Sequence, residues 1–386
     1  MTETTHYAHG LGKTLKRPDW PELTAEDASA VLARFPRAGN FQKIAWRSPR
    51  PFSAAARIDT DRGGVFIKRH HHRLRSVSDL GEEHRLMAYL RAQGQPVVPV
   101  LCTDLGHGVL SDGVWCYEVH GLGDGVDVYQ DRSSWTPFLT SGHARAAGGA
   151  LAGLHRIMRA YDAPPRRSPL LINSDGLMRA PTPIATLEAR LVHRPALAYF
   201  LAERPWRQDL VDHVLRPWHD DARAAMDAVP ASWGHGDWHG SNLLWSSGEA
   251  NASVATILDF GLADRTSALF DLATAIERGV IPWLDLEDGE PVAALDHLDA
   301  FLAGYGSVLP VTSSLLDALA AVLPVVHVDF ALSEIDYFVD LLGDDEQADV
   351  AYGPYLLGHA DWFGRPEGQR LLRHLRTLAS RGVPFR

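Results

Sequence analysis

The sequence predicts an α+β fold built from two lobes, a β-rich N-terminal lobe and a mostly helical C-terminal lobe. Its 386 residues are enough for two lobes with a sizeable core. The apolar run at residues 65–67 predicts a strand in the first lobe, and residues 331–342 have the apolar spacing of a helix in the second. A hydrophobic content of 46% argues against disorder.

The predicted boundaries follow from local composition. Residues 161–204, with their paired prolines, look like an insertion that could line a ligand site. The full division is a loose arm at 1–20, a β-rich N-terminal lobe at 21–113, a hinge at 114–125 and a C-terminal lobe at 126–386.

Lys68 stands out because the chain has only four lysines against 33 arginines. It ends the predicted strand at residues 65–68. The compact ammonium of a lysine suits phosphate binding better than the planar guanidinium of an arginine. The alternative is a lysine on an edge strand that extends to solvent.

The next element is a predicted helix at residues 78–93, with Ser78 as its cap and Gly94 at its end. It carries two neighbouring acids, Glu82 and Glu83, and one of them should pair with Lys68. We prefer Glu83, because it stands three residues before Leu86.

The strongest motif is His235-x-Asp237 followed by Asn242, with an Asp-Phe-Gly sequence beginning at Asp259. This spacing is typical of a phosphoryl-transfer centre: Asp237 accepts the proton of the acceptor hydroxyl, and Asn242 and Asp259 bind magnesium. The apolar runs after Asn242 and before Asp259 are joined by a turn-prone segment, which predicts a β-hairpin between the two metal ligands.

Two other interpretations stay open at this point. His235, Asp237 and His239 alternate along the chain and could bind a metal in a hydrolase, although the usual zinc-hydrolase motifs are absent. The second is a kinase-like binding protein without transferase activity, although no polar group of the motif is missing.

These motifs resemble the family of aminoglycoside phosphotransferases, choline kinases and type II homoserine kinases, over roughly residues 40–280. The hallmark is His-Gly-Asp-x-His-x-x-Asn at residues 235–242. The resemblance implies a bilobal protein-kinase-like fold, ATP and Mg²⁺ as cofactors, and a small-molecule acceptor. It also implies that Asp271 buttresses the catalytic loop and that His235 is structural.

The chain departs from the family at residues 48–55, where a glycine- or serine-rich phosphate loop is usual and no glycine is present. Ser53 and backbone amides could still donate hydrogen bonds to phosphate. The adenine is expected to be bound by backbone groups near Glu118 and His120, before a glycine cluster at residues 121–125.

The charge is uneven. The net charge is −11, yet residues 279–364 contain 16 acidic residues and no lysine or arginine. In the resembled family this region lines the acceptor pocket, so Glu334, Asp336 and Asp340 favour a cationic acceptor. An ordinary acidic surface is the alternative.

The sequence therefore predicts an ATP- and Mg²⁺-dependent kinase for a hydroxyl of a small, cationic acceptor such as an aminoglycoside or amino alcohol. The alternative acceptor is a neutral or zwitterionic alcohol or sugar. Cys102 and Cys116 cannot form a disulfide framework, and no uninterrupted run approaches about 18 apolar residues. We expect a cytoplasmic protein without membrane or nucleic-acid partners.

Overall fold

The computed structural model describes residues 8–9, 15–16, 18–168, 170–283 and 291–382, so most of the predicted arm lies outside the described residues. The chain divides into two compact units. The N-terminal unit comprises residues 1–134, 243–246 and 255–261; the C-terminal unit comprises residues 135–242, 247–254 and 262–386.

The N-terminal unit is built on a five-stranded antiparallel sheet with the order β3-β4-β5-β7-β6. The elements of its main segment are β1 Ala8–His9, β2 Leu15–Lys16, α1 Ala25–Leu32, β3 Phe41–Arg47, β4 Ala54–Thr60, β5 Gly63–His71, α2 Val77–Ala92, β6 Val109–Ser111 and β7 Trp115–Gly121.

The two faces of this sheet have different chemistry. Val65 and Ile67 alternate along β5 toward an apolar core that also contains Val119 of β7 and residues of α1. The opposite face carries Lys68 and Glu118, which are cross-strand neighbours. A sheet that is apolar on one face and polar on the other thus places charged groups together.

Helix α2 begins earlier than the sequence predicts. Its N-cap is Ser76, whose hydroxyl accepts a hydrogen bond from the amide of Asp79 while the carboxylate of Asp79 accepts one from the amide of Ser76. This capping box outcompetes Ser78, which lies inside the first turn.

The sheet also extends beyond the predicted lobe boundary at Gly113. Strand β7 lies within the predicted hinge at 114–125 but pairs with β5 along its whole length, and the first segment of the compact unit ends at Ser134. The glycine cluster at residues 121–125 indicates the flexible end of a hinge, yet the five residues at 116–120 just before it are buried. Neighbouring polar side chains on one face of the sheet make this burial possible.

The predicted β-hairpin between Asn242 and Asp259 is present. Strands β9 Leu243–Trp245 and β10 Val254–Ile257 form a two-stranded sheet. In the C-terminal unit, β8 Ser232–Gly234 pairs with β11 Asp264–Thr266.

The C-terminal unit is mostly helical, as predicted. Its α-helices are α3 Ser141–Met158, α4 Pro183–Leu191, α5 Pro195–Ala202, α6 Trp206–Asp209, α7 Asp220–Asp227, α8 Ala268–Val280, α9 Leu295–Gly306, α10 Ser313–Val322, α11 Val328–Tyr337, α12 Asp345–Val350, α13 Gly358–Gly364 and α14 Pro366–Arg381. Segments Leu210–His219, Phe338–Leu342 and Ala351–Leu357 are π-helical.

One apolar stretch, Ser313–Leu342, is long enough to cross a membrane by length and composition. In this fold 78% of the most apolar part of this stretch is buried inside the protein. The stretch therefore belongs to the core of the C-terminal unit.

Candidate functional site

Lys68 lies on β5 with its side chain 15% exposed, and its ammonium forms an ion pair with Oδ1 of Asp259 at 3.1 Å. Burial by itself lowers the pKa of Lys68, but the carboxylates of Asp259, Glu118 and Glu83 raise the pKa overall. The ammonium is thus protonated at neutral pH and remains partly accessible to solvent, as a group that binds phosphate requires.

Glu83 is buried on α2 and belongs to the carboxylates that raise the pKa of Lys68. The direct ion pair of Lys68 is with Asp259. The expected pairing of Lys68 with Glu83 stays a prediction, and the electrostatic influence of Glu83 is in its favour.

Asp259 follows β10 in a left-handed backbone conformation, with φ of 58°. A non-glycine residue in this region costs conformational energy and is found most often at functional positions. The amide of Gly261 donates to Oδ1 of Asp259 at 3.3 Å, and Arg75 donates to the carbonyl of Gly261 at 3.0 Å. The turn thereby presents a partly exposed carboxylate, the kind of hard oxygen donor that magnesium prefers.

The glycine-free segment at 48–55 ends in β4, and Phe52 has φ of 73°. The hydroxyl of Ser48 accepts a hydrogen bond from the amide of Arg50, and the guanidinium of Arg50 donates to the carbonyl of Arg132 at 3.0 Å. The turn is thus braced by side chains instead of glycines. Phosphate binding by Ser53, which is half-buried, stays a prediction.

Glu118 and His120 have a different environment from the one predicted. Glu118 is paired with Lys68 on one side and Val109 on the other, and His120 is paired with Phe66 on β5. Because β7 lies inside the sheet, the backbone at these positions is committed to strand pairing. This argues against the predicted use of the same groups for adenine.

The catalytic loop follows β8 and is held by Asp271 of α8. The buried carboxylate of Asp271 accepts hydrogen bonds at 2.7 Å from the amides of both His235 and Gly236, and Nε2 of His155 lies 2.8 Å from it. Gly236 has φ of 76°, and a Cβ there would clash with the carbonyl of Leu262. Asp271 therefore occupies the buttressing position that the resemblance implies.

His235 stabilises its own loop, because its Nδ1 accepts a hydrogen bond from the amide of Asp237 at 3.2 Å. This nitrogen is therefore occupied by a hydrogen bond within the loop. Within the described ranges, His235, Asp237 and His239 do not form a convergent group of metal ligands. The metallohydrolase interpretation is therefore not supported.

The carboxylate of Asp237 is oriented by three neighbours. Nδ2 of Asn242 donates to Oδ2 of Asp237 at 2.9 Å, Nε2 of His239 lies 3.3 Å from Oδ1, and the guanidinium of Arg278 forms an ion pair with Oδ1. Burial raises the pKa of Asp237, but His239 and Arg278 outweigh this and hold the pKa well below its usual range. Asp237 is thus an ionised carboxylate with a fixed direction, as a group that orients a hydroxyl requires.

Arg278 is the residue that the sequence interpretation missed. It lies on α8, its side chain is 2% exposed, and its guanidinium lies 4.9 Å from the ring centroids of both Trp135 and Phe330. Among 33 arginines nothing in its local sequence marks it. Its one distinction is that it immediately precedes the stretch without lysine or arginine at residues 279–364.

Two further carboxylates belong to this neighbourhood. Glu277 lies 3.7 Å from Nε of Arg278, and Glu334 of α11 adds to the raised pKa of Arg278; both are buried. Burial raises the pKa of Glu277. Glu334 therefore lies in the interior near Arg278, and its role toward a cationic acceptor stays a prediction.

Other acids of α11 have a structural role. Arg190 and Arg194, which belong to the predicted insertion at 161–204, pair with Asp329 at 2.8 Å and Asp336 at 3.6 Å. The insertion is therefore docked on α11 by ion pairs. These two acids are neutralised internally, and this weakens their part in the predicted acidic wall.

The Phosphotransferase enzyme family matches residues 49–311, and the chain belongs to that family. This span includes every residue of the candidate site from Ser53 to Asp271. No curated protein sequence gives a match.

Solved structures agree on the fold. A microcompartment-associated aminopropanol kinase is 16% identical, with a TM-score of 0.52 and coverage of 94% of this chain and 100% of its own. An amicoumacin kinase solved with AMP-PNP and Ca²⁺ is 15% identical, with a TM-score of 0.51 and 95% coverage of both chains. A spectinomycin phosphotransferase solved with ADP is 12% identical, with a TM-score of 0.50 and coverage of 92% and 98%.

Family and fold together define the class: an ATP-dependent phosphotransferase with an alcohol group as acceptor and a protein-kinase-like fold. The interpretation as an inactive binding protein is thereby set aside.

Proposed function

We propose that the chain transfers the γ-phosphoryl group of ATP to a hydroxyl of a small cationic acceptor, such as an amino alcohol or an aminoglycoside, with Asp237 as the catalytic base. The main support is the charge around Asp237. Asp237 and Glu277 form ion pairs with the guanidinium of Arg278, and Glu334 acts on the same guanidinium electrostatically. A neighbourhood that is acidic even after its internal arginine is counted favours a positively charged ligand.

The aromatic residues of this neighbourhood also favour a positively charged ligand. Trp135 and Phe330 already contact the guanidinium of Arg278, and Tyr355 packs against Trp135 with ring centroids 5.5 Å apart. Aromatic faces and carboxylates together are the usual surroundings of an ammonium group. One of the structural neighbours, the aminopropanol kinase, is in accord with an amino-bearing acceptor.

In the proposed step the acceptor oxygen forms a bond to the γ-phosphorus as the bond to the β,γ-bridging oxygen of ATP breaks. Asp237 receives the hydroxyl proton, and ADP leaves with the electron pair of the broken bond. Lys68 holds phosphate oxygens and offsets their charge. Because the transition state is loose, positioning and charge neutralisation are the main contributions of the protein.

Asn242 and Asp259 are the proposed ligands of Mg²⁺. Each supplies a hard oxygen donor, amide or carboxylate, and the left-handed turn at Asp259 presents its carboxylate partly to solvent. The donor chemistry fits magnesium, which when bound neutralises charge on the phosphates.

Since ammonium-bearing acceptors are polar metabolites or drugs, we propose a cytoplasmic enzyme that uses neither membrane nor nucleic acid.

The test is a panel of matched acceptors in which each amino alcohol is paired with its neutral isostere, the amine replaced by a hydroxyl. We expect kcat/KM to favour the cationic member and the preference to weaken as salt rises. Glu334→Gln should reduce that preference, while Glu346→Gln, at an exposed position on α12, should leave it unchanged. Equal turnover of neutral and cationic members would shift the assignment to a neutral or zwitterionic alcohol.

A further inference from the structure

On the polar face of the N-terminal sheet, three histidines surround one buried carboxylate. Glu118 is fully buried on β7. Nε2 of His84 lies 2.6 Å and Nε2 of His120 lies 3.0 Å from the same oxygen of Glu118, Oε2. Nε2 of His70 lies 3.2 Å from the other oxygen, Oε1. The catalytic proposal assigns no task to these imidazoles.

Strand register explains why the side chains converge. In the antiparallel pair of β5 and β7, Lys68 is opposite Glu118 and Phe66 is opposite His120. Side chains of such pairs lie on one face, so His70, two residues after Lys68, shares it. His84 is contributed by α2, whose Leu80 packs on Cys116 of β7.

Gly108, beside β6, leaves room for the His84 ring. A Cβ at this position would lie 2.7 Å from Nδ1 of His84, closer than side-chain atoms normally approach. A larger residue would displace the imidazole from Glu118. The position of the ring is therefore set by three elements of the unit.

The donor atoms have the chemistry of a transition-metal site. One nitrogen each from His84 and His120 and one oxygen from Glu118 all lie within 4.8 Å of one another. Two imidazoles and one carboxylate are a common ligand set of zinc, which takes a water as its fourth ligand. Bond lengths of about 2.0 Å in a tetrahedron put ligand atoms roughly 3.3 Å apart. Nε2 of His84 would therefore need to withdraw from Oε2 by about 0.7 Å, and Nε2 of His120 by about 0.3 Å.

Glu118 also has a partner outside the three proposed ligands. His70, on the opposite oxygen, orients the carboxylate as outer partners of zinc ligands do.

We propose that His84, Glu118 and His120 form a zinc-binding site in the N-terminal unit, with His70 as the outer partner of Glu118. Imidazole nitrogens favour zinc over magnesium, so this site differs in chemistry from the proposed Mg²⁺ ligands. Bound zinc would tie α2 to β7. Because Glu83 directly precedes His84, the metal would also fix the acid expected beside Lys68. The proposal does not depend on the identity of the acceptor.

The test uses the full chain without an affinity tag. Bound metal is first removed with a chelator, and the chelator is then removed as well. Excess Mg²⁺ is present throughout to occupy sites made of oxygen ligands. Co²⁺ is titrated first, with absorption as the readout, and Zn²⁺ is then titrated by calorimetry. We expect one equivalent of each, a visible Co²⁺ spectrum of four-coordinate type, and a Tm that rises with Zn²⁺ concentration.

Variants locate the metal. His84→Gln and His120→Gln should each weaken Zn²⁺ binding at least tenfold, since loss even of an outer partner costs about 10- to 100-fold. The matched controls are His72→Gln and His107→Gln, at exposed positions of the same unit. They should bind Zn²⁺ like the unmodified protein.

A further variant covers the case in which a glutamine substitution prevents folding. His120→Cys keeps a ligand at this position and should add a near-ultraviolet charge-transfer band from thiolate to Co²⁺. The proposal is overturned if the unmodified protein takes up no stoichiometric metal, if both glutamine variants bind as tightly as it does, or if the band is absent from folded, Co²⁺-loaded His120→Cys protein.

Discussion

Lys68 in the N-terminal unit and Asp237 in the C-terminal unit are both proposed catalytic groups, yet they are held in different ways. Lys68 is placed by the register of a sheet and has a direct ion pair with Asp259. Asp237 lies on a loop fixed by Asp271, and its carboxylate is paired with Arg278, 41 residues further along the chain. A phosphate ligand needs a point charge at an accessible strand position. A catalytic base needs its direction fixed as well, and this requires partners from several elements.

The largest expected effect is at the catalytic base. Asp237→Asn keeps the size of the side chain but removes its basicity, so kcat should fall by about 10²- to 10⁴-fold. The measurement is steady-state kinetics beside thermal unfolding, with Asp317→Asn at an exposed position of α10 as control. Retention of most of the kcat by folded Asp237→Asn protein on a true acceptor would refute the role of Asp237.

The next test concerns the partner of that base. Arg278→Gln leaves Asp237 and Glu277 without their buried cation, and breaking a buried ion pair in this way typically costs about 3–5 kcal/mol. The free energy of unfolding in urea should fall by that amount, whereas Arg373→Gln on the exposed side of α14 should change it by less than about 0.5 kcal/mol. A loss below about 1 kcal/mol for Arg278→Gln would show that Asp237 does not depend on this pair.

The smallest effect is predicted for the phosphate-binding lysine. Lys68→Ala should lower kcat roughly 10²-fold, the loss typical of a group that stabilises transition-state charge, and Lys68→Arg should restore only part of it because the guanidinium is larger and planar. Lys43 provides a matched control, because its side chain is 70% exposed and pairs with Asp59 at 3.3 Å. Lys43→Ala should leave kcat unchanged, and an equal loss in both variants would mean that Lys68 acts only through general electrostatics.

Much of the fold and part of the site could be predicted from the sequence. The hairpin between Asn242 and Asp259 is formed by β9 and β10, and the helix after β5 is present with its N-cap two residues earlier than predicted. These features depend on periodicity, turn residues and spacing over short stretches, which the order of residues records directly.

The boundary of the first lobe was less accurate for a definite reason. The glycine cluster at residues 121–125, just after Glu118 and His120, indicates a hinge, because a sequence shows turn residues but not strand pairing. In the fold Glu118 is buried against His84, His120 and His70, contributed by α2, β7 and β5.

By itself the sequence predicted the protein-kinase-like fold, which is confirmed, and it singled out the proposed catalytic loop and Lys68, because residue types at short separations and composition can be read directly from the chain. Only the tertiary structure decided which charges meet. It paired Asp237 with Arg278, gathered three histidines around Glu118, and neutralised Asp329 with Arg190, 139 residues away. The physical reason is that the energy of a buried charge depends on its neighbours in space, and no spacing rule along the chain specifies partners so distant in sequence.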